Sequence, residues 1–181
     1  MDIRYCFTSL TLVSSLAISS VTCASEQEKP ATVAGSTRTS ANLGMPVFVR
    51  NIAPDAVDAV KIVEAFSAAI KAAKMDVAKN LLDPDVLILE SGGSERSRDQ
   101  YMGGHAIADA GFLRKAQQQL RYRQARADGS FAWVATESTL TGMDKGKKFN
   151  LLSTETMLLR KTAQGWKIVH IHWSSHPAPK T

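Results

Sequence analysis

From Pro54 onward, apolar residues recur three to four positions apart: Val57, Val60, Val63, Phe66, Ile70 and Ala73 fall on one helical face. Pro54-Asp55 suits the first turn of that helix. A shorter helix is predicted over Asp76 to Leu82, beginning on an acidic residue that favours a helix N-terminus and stopping before Pro84. Val86 to Glu90 then reads as a strand, closed by Ser91-Gly92-Gly93. Ser97 to about Gln119 is helical again, interrupted at Gly103-Gly104 and weakened by Gly111.

After that the period drops to two. Arg121 to Ala127, Phe131 to Thr141, Phe149 to Thr162 and Trp166 to Ser174 are strands, separated by Asp128-Gly129, the loop Gly142 to Lys148, and Ala163-Gln164-Gly165. Helices first and an antiparallel meander after imply an α+β fold in which helices cover one face of a curved sheet.

The chain before this domain has a different texture. Tyr5 to Val21 is a Leu/Ile/Val/Ser/Ala stretch after Arg4, too polar and too short for a good membrane span, and Thr22-Cys23-Ala24 offers small residues for cleavage. Residues 1–24 are therefore expected to be a signal peptide of a periplasmic or secreted protein. A lipoprotein anchor on Cys23 is the alternative, although Ser20-Val21-Thr22 fits the residues expected before such a cysteine poorly. Residues 25–53, rich in Ser, Thr, Ala and Gly, read as a flexible linker, residues 54–176 as the domain and 177–181 as a tail.

Composition narrows the chemistry. With 44% hydrophobic and 22% charged residues, the 181-residue chain is globular rather than disordered or coiled coil. Its net charge of +5 comes from 22 basic and 17 acidic residues that are interspersed, and Lys145-Gly146-Lys147-Lys148 is a solvated hairpin loop, so no nucleic-acid partner is expected. Both cysteines, Cys6 and Cys23, fall in the leader, which leaves the domain without a disulfide framework, thiolate metal site or thiol nucleophile. Gly-x-Ser-x-Gly, His-Glu-x-x-His and dinucleotide-binding glycine patterns are missing, and no cofactor is implied.

His, carboxylate and hydroxyl groups remain. Strict alternation along Trp166 to His176 places Ile168, His170, His172 and Ser174 on one face and Val169, Ile171 and Trp173 on the other. Two imidazoles on one face converge on a ligand, a proton or a metal, or else form a structural hydrogen-bond ladder. Glu155 shares a face with Phe149, Leu151, Met157 and Leu159, and Glu137 with Phe131, Trp133 and Ala135. An unpaired buried carboxylate costs several kcal/mol, so each lines a cavity beside His or Arg, or sits in a buried ion pair. Tyr101, His105 and Asp109 stack at four-residue intervals if their helix is continuous, after a Glu90 to Arg98 turn that is not a phosphate loop.

The order of elements resembles the nuclear transport factor 2-like superfamily, whose cone-shaped fold includes SnoaL-like and DUF4440 domains. "GWKIVHIHWSS", Gly165 to Ser175, is similar to the last strand of those domains and of the association domain of calcium/calmodulin-dependent protein kinase. "VEAFSAAIKAAKMDVAKNLLDPDVLILESGG", Val63 to Gly93, resembles their opening. The resemblance implies a pocket between helices and concave sheet, and a homodimer through the sheets. Ketosteroid isomerases of this fold use an Asp base with a Tyr/Asp oxyanion hole, and SnoaL-like cyclases an Asp acid-base. By residue type Asp109 and Tyr101 are the corresponding candidates.

Two functions follow as expectations. The first is an exported domain binding a small molecule in the cone, with Glu90, Tyr101, Glu137, Glu155, His170 and Trp173 as ligand contacts. The second is a cofactor-independent isomerase, cyclase or dehydratase with His105, Asp109 and His172 as its acid-base groups. A structural oligomerisation module is the third possibility. Convergence of His105, Glu155 and His172 on one open cavity decides whether the proposed site exists.

Overall fold

The computed structural model describes residues 49–179. The leader, the linker up to residue 48 and the last two residues of the tail lie outside the described residues.

The first apolar stripe folds as helix α1 (Val57–Lys71), burying Val60, Val63, Phe66 and Ile70. It ends because Ala73 adopts a left-handed conformation (φ 55°), with Ala73 N–H donating to Ile70 O and Lys74 N–H to Ala69 O in a Schellman-type closure. Helix α2 (Met75–Leu81) runs straight into strand β2 (Leu82–Glu90). That strand starts four residues before the expected Val86 and contains Pro84. The proline is tolerated because pairing with the neighbouring strand is irregular between Leu82 and Leu87. Ser91 and Gly92, both at positive φ, turn the chain into the short β3 (Gly93–Glu95).

The expected long helix is two helices. Gly103-Gly104 ends α3 (Arg98–Gly103), which Ser97 caps by accepting from Gln100 N–H at 3.1 Å, and α4 (His105–Lys115) follows. Strands β4 (Ala116–Asp128), β5 (Phe131–Asp144), β6 (Lys147–Thr162) and β7 (Gly165–Pro177) form the meander, each longer than its alternation alone suggests. Among the described residues seven strands lie in the order β1-β4-β5-β6-β7-β2-β3. Strand β1 (Val49–Ile52) pairs in parallel with β4, so the last residues assigned to the linker belong to the sheet.

Helices cover one face of this curved sheet. Phe66, Ile70, Val86, Ile88, Val134, Met157, Leu159, Ile168 and Ile171 form the core between them, each no more than 2% exposed. Two bulges change what the sheet presents. In β4 the register shifts between Leu120 and Tyr122, and at the β6–β7 pair Leu158 opposes His170 while Leu159 opposes Ile168, which leaves Val169 as the extra residue. A bulge reverses the in/out phase of every side chain beyond it.

Gly142 of β5 lies where the end of α4 crosses the sheet. A Cβ there would sit 2.3 Å from Lys115 O and 2.6 Å from the Phe149 ring, which stacks on Phe112 at 5.2 Å. Backbone cannot yield as a side chain does, so Gly142→Ala is expected to destabilise the domain by about 1–3 kcal/mol. Urea unfolding measures this, and an unchanged midpoint would show that α4 shifts freely.

Candidate functional site

The helices and the concave face of the sheet enclose a cavity of about 400 Å³. Its wall carries one polar row that crosses five strands: Arg123 (β4) opposes Thr136 (β5), Thr136 opposes Glu155 (β6), Glu155 opposes Trp173 (β7), and Trp173 pairs with Glu90 (β2). All five line the cavity. Arg123, only 7% exposed, donates from Nη1 to Glu64 Oε1 of α1 at 2.6 Å and from Nε to Thr136 Oγ1 at 3.3 Å. Trp173 Nε1 donates to Glu155 Oε2 at 2.8 Å.

Tyr101 and Asp109 stand over the other end of the row. Tyr101 is fully buried, packs against Phe66 and Trp173, and donates from its hydroxyl to Asp109 Oδ2 at 2.9 Å. The two residues come from separate helices, so their contact depends on the break at Gly103-Gly104 rather than on a continuous helical row.

Burial raises the proton affinity of the carboxyls in this space. It holds Asp109 above the usual carboxylate range against the Tyr101 hydrogen bond and the field of His105. Glu90 is raised by burial and by the neighbouring Asp109. Glu155 is also raised: it faces the cavity but is surrounded by protein, and the Trp173 hydrogen bond, Arg123 and Thr136 only partly offset its desolvation. The Tyr101 phenol is driven far upward by burial and by Asp109, so it keeps its proton and remains a donor.

A raised folded value means that Glu155 binds a proton more tightly in the fold than in the unfolded chain. Its contribution to stability is present below its ordinary value of 4.5 and is lost as pH rises through the folded value. Glu155→Gln, which keeps an acceptor for Trp173, is therefore expected to flatten the decline in stability from acid to neutral pH and to raise the urea midpoint at neutral pH. Parallel pH slopes for the two proteins would contradict this.

The remaining candidates are placed elsewhere. His105 begins α4 with its side chain 61% exposed and pairs through Nδ1 with the buried Glu95 carboxylate, outside the cavity lining. His170 Nδ1 lies 2.8 Å from Leu87 O. His172 is exposed in a shallow depression with Leu87, Leu89 and Arg96 and is not part of the lining of the main cavity. The bulge at Val169 is the reason: Ile171 and Trp173 point inward beyond it and His172 outward, the reverse of continuous alternation from Ile168. Glu137 does share a face with Phe131, Trp133 and Ala135, but that is the outer face, while Thr136 and Ser138 point inward. His105, Glu155 and His172 thus do not converge; Glu155 lines the cavity with Asp109, Tyr101, Glu90 and Trp173. Among the described residues no group of three or more His, Cys, Asp or Glu side chains is arranged to hold a metal.

Arg123 and Glu64 are site residues that the sequence reading missed. Glu64 had a signal, since Glu64, Ser67 and Lys71 follow one another at helical spacing beside the apolar stripe of α1. Arg123 had none: alternation through Gln118 and Leu120 puts it on the opposite face, and the bulge in β4 turns it inward.

Comparison with known proteins agrees with this architecture. A family model described as a SnoaL-like domain matches residues 60–179. Among solved structures, a candidate ketosteroid isomerase from Shewanella frigidimarina NCIMB 400 is 30% identical, with a TM-score of 0.63 over 68% of this chain and 99% of that one. A candidate calcium/calmodulin-dependent protein kinase II association domain from Xanthomonas campestris is 26% identical, with a TM-score of 0.54 over 67% of this chain and 87% of that one. A nuclear transport factor 2-like superfamily protein from Salmonella enterica, 21% identical, shares the fold with a TM-score of 0.57 over 71% of this chain and 96% of that one. No curated protein matches the chain.

Proposed function

The chain belongs to the SnoaL-like domain family of the nuclear transport factor 2-like superfamily, and from that premise we propose that its cone binds a small organic molecule with which Asp109 exchanges a proton. The observation that carries this is the opening of three carboxyls with raised proton affinity, Glu90, Asp109 and Glu155, into one cavity beside a buried arginine. Perturbed carboxyls gathered in a cleft are the arrangement that acid-base chemistry needs.

The roles divide by position. Asp109, held by Tyr101, takes a proton from a carbon next to a carbonyl; the electron pair moves onto the carbonyl oxygen, and the proton returns to carbon to complete an isomerisation or exchange. Glu155 in its protonated form is the donor available to the developing oxyanion, while the one proton of the Tyr101 hydroxyl is engaged with Asp109. The reaction consumes no oxidant or reductant. Because the 30%-identical relative is described as a candidate ketosteroid isomerase, enolisable ring ketones, a ketosteroid among them, are the first compounds to test. Incorporation of solvent deuterium next to the carbonyl, followed by NMR, measures the step. Binding without exchange across such a panel would reduce the protein to a carrier, and no binding would remove the function.

Two further parts of the reading concern the chain's surroundings. The leader features of residues 1–24 support export, which predicts a mature chain starting at Ser25 by intact mass. Leu87, Leu89, Phe131 and Leu158 are exposed on β2, β5 and β6, and a second copy covering this apolar surface gives a homodimer. Light scattering of the wild type against Leu158→Glu tests it: the variant is expected to be monomeric.

A further inference from the structure

Asp109 sits on a helix that buries little of its surface. Of α4 only Ala106 and Ala110 are fully buried, Ile107 is 66% exposed, and no side chain caps the N-terminus. Gly103-Gly104, which joins α4 to α3, has no side chain to stiffen the corner. The far end of α4 is fastened by the Phe112–Phe149 stack and by Lys115, whose Nζ lies 2.7 Å from Asp144 Oδ1. The near end is fastened by His105, which pairs through Nδ1 with Glu95 of β3.

That near fastening has a buried half. The Glu95 side chain is 7% exposed, and among the described residues its ion pair is with His105. A buried carboxylate that loses its partner is strongly destabilising, so the pair ties the first turn of α4 to β3. His105 and Asp109 are four residues apart and share a helical face. A shift of the first turn therefore carries Asp109 away from the Tyr101 hydroxyl that donates to it at 2.9 Å.

The same groups shape the charge around Asp109. Burial raises its proton affinity most, the Tyr101 hydrogen bond and the field of His105 lower it, and Glu95 raises it. Glu90 of β2 is the other carboxyl in this cluster. Charged groups on the remaining elements packed against α4 are engaged elsewhere: Glu64 of α1 with Arg123 of β4, Lys71 with Ala116 O, and Asp144 of β5 with Lys115.

We propose that His105 is a positioning residue: with Glu95 as its buried anchor it fixes the first turn of α4 on β3 and keeps the Asp109 carboxyl against Tyr101, without lining the cavity itself. This rests on the reading of Asp109 as the group that exchanges a proton.

The test follows the Asp109 carboxyl of the full chain by carbon-13 NMR across pH, a readout that needs no turnover, beside solvent-deuterium exchange into cyclohexanone. His105→Ala is expected to move the Asp109 titration to higher pH and to lower kcat for exchange by about 10–100-fold, the effect of a small misplacement, with KM unchanged. His105→Gln keeps an N–H donor for Glu95 without the charge, so it should restore most of kcat while the titration stays high. Glu95→Gln, which strands no buried charge and so keeps the test open if His105→Ala fails to fold, should move the titration to lower pH. An Asp109 titration and a kcat both unmoved in His105→Ala, or a titration unmoved in Glu95→Gln, overturn the positioning role and leave Asp109 as the exchanging group. If the titrations move as expected but no protein, wild type included, exchanges deuterium into cyclohexanone or the other ring ketones, the link from His105 to Asp109 holds and the proton-exchange reading falls.

Discussion

Asp109→Asn is expected to slow proton exchange by about 10²–10⁴-fold, the usual contribution of a positioned acid-base group, and to make the protein more stable at neutral pH. Both effects have one cause. Burial raises the Asp109 carboxyl above its ordinary value of 3.8, so the stability it contributes below that value is lost as pH rises through the folded value. The amide cannot ionise and avoids that loss, and it also cannot take the proton. Tyr101→Phe separates the two roles. Without the hydroxyl, which lowers the Asp109 value through its 2.9 Å bond, the limb of the rate profile set by Asp109 should move to higher pH while exchange continues. Rate profiles and urea melts of both variants across acid to neutral pH make the comparison. An Asp109→Asn protein that exchanges at the wild-type rate would remove Asp109 from the chemistry.

Arg123→Met is expected to cause the largest loss of stability, about 3 kcal/mol, the lower end for breaking a buried ion pair. The lower end applies because the Glu64 side chain is about half exposed and turns to water when released. Glu155 has no such escape: losing the field of Arg123 raises its proton affinity further. For a domain of this size the loss corresponds to roughly 10 °C in melting temperature. Adding Glu155→Gln should recover part of it, since the group that Arg123 supports is then neutral, and a double-mutant cycle measures that coupling. Lys61→Met is the control. Its ion pair with Asp58 is nearly as short, 2.8 Å, but solvated on α1, and removing it should leave the urea midpoint close to that of the wild type, because water screens an exposed pair. Equal costs for the two arginine and lysine variants would mean that burial of Arg123 contributes nothing.

Phase errors account for the difference between the expected site and the observed one. The apolar stripe of α1 needed only helical periodicity, and Val60, Val63, Phe66 and Ile70 are buried where it places them. Glu155 was visible as a carboxylate sharing a face with Met157 and Leu159, because β6 alternates without interruption from it to that buried pair. His172 and Trp173 exchanged faces because Val169 is an extra residue, and Arg123 entered the site through the shift beside Leu120. Nothing local distinguishes those positions: a bulge forms where the neighbouring strand forces the register, and that strand is distant in sequence. Glu137 shows the complementary limit. Its companions on the strand were correct, but which face meets the helices depends on how the whole sheet packs.

Periodicity along the chain was thus sufficient for the helix-then-meander order, the α+β class and the inward carboxylate on β6, since each depends on residues a few positions apart. The break at Gly103-Gly104 was visible as well, although not its consequence of bringing Tyr101 to Asp109 from separate helices. The five-strand row from Arg123 to Glu90, the outward turn of His172 and the pairing of His105 with Glu95 outside the cavity arose from long-range packing. Side-chain direction in a sheet is a running count of residues, and each bulge resets that count according to strands that the local sequence does not contain.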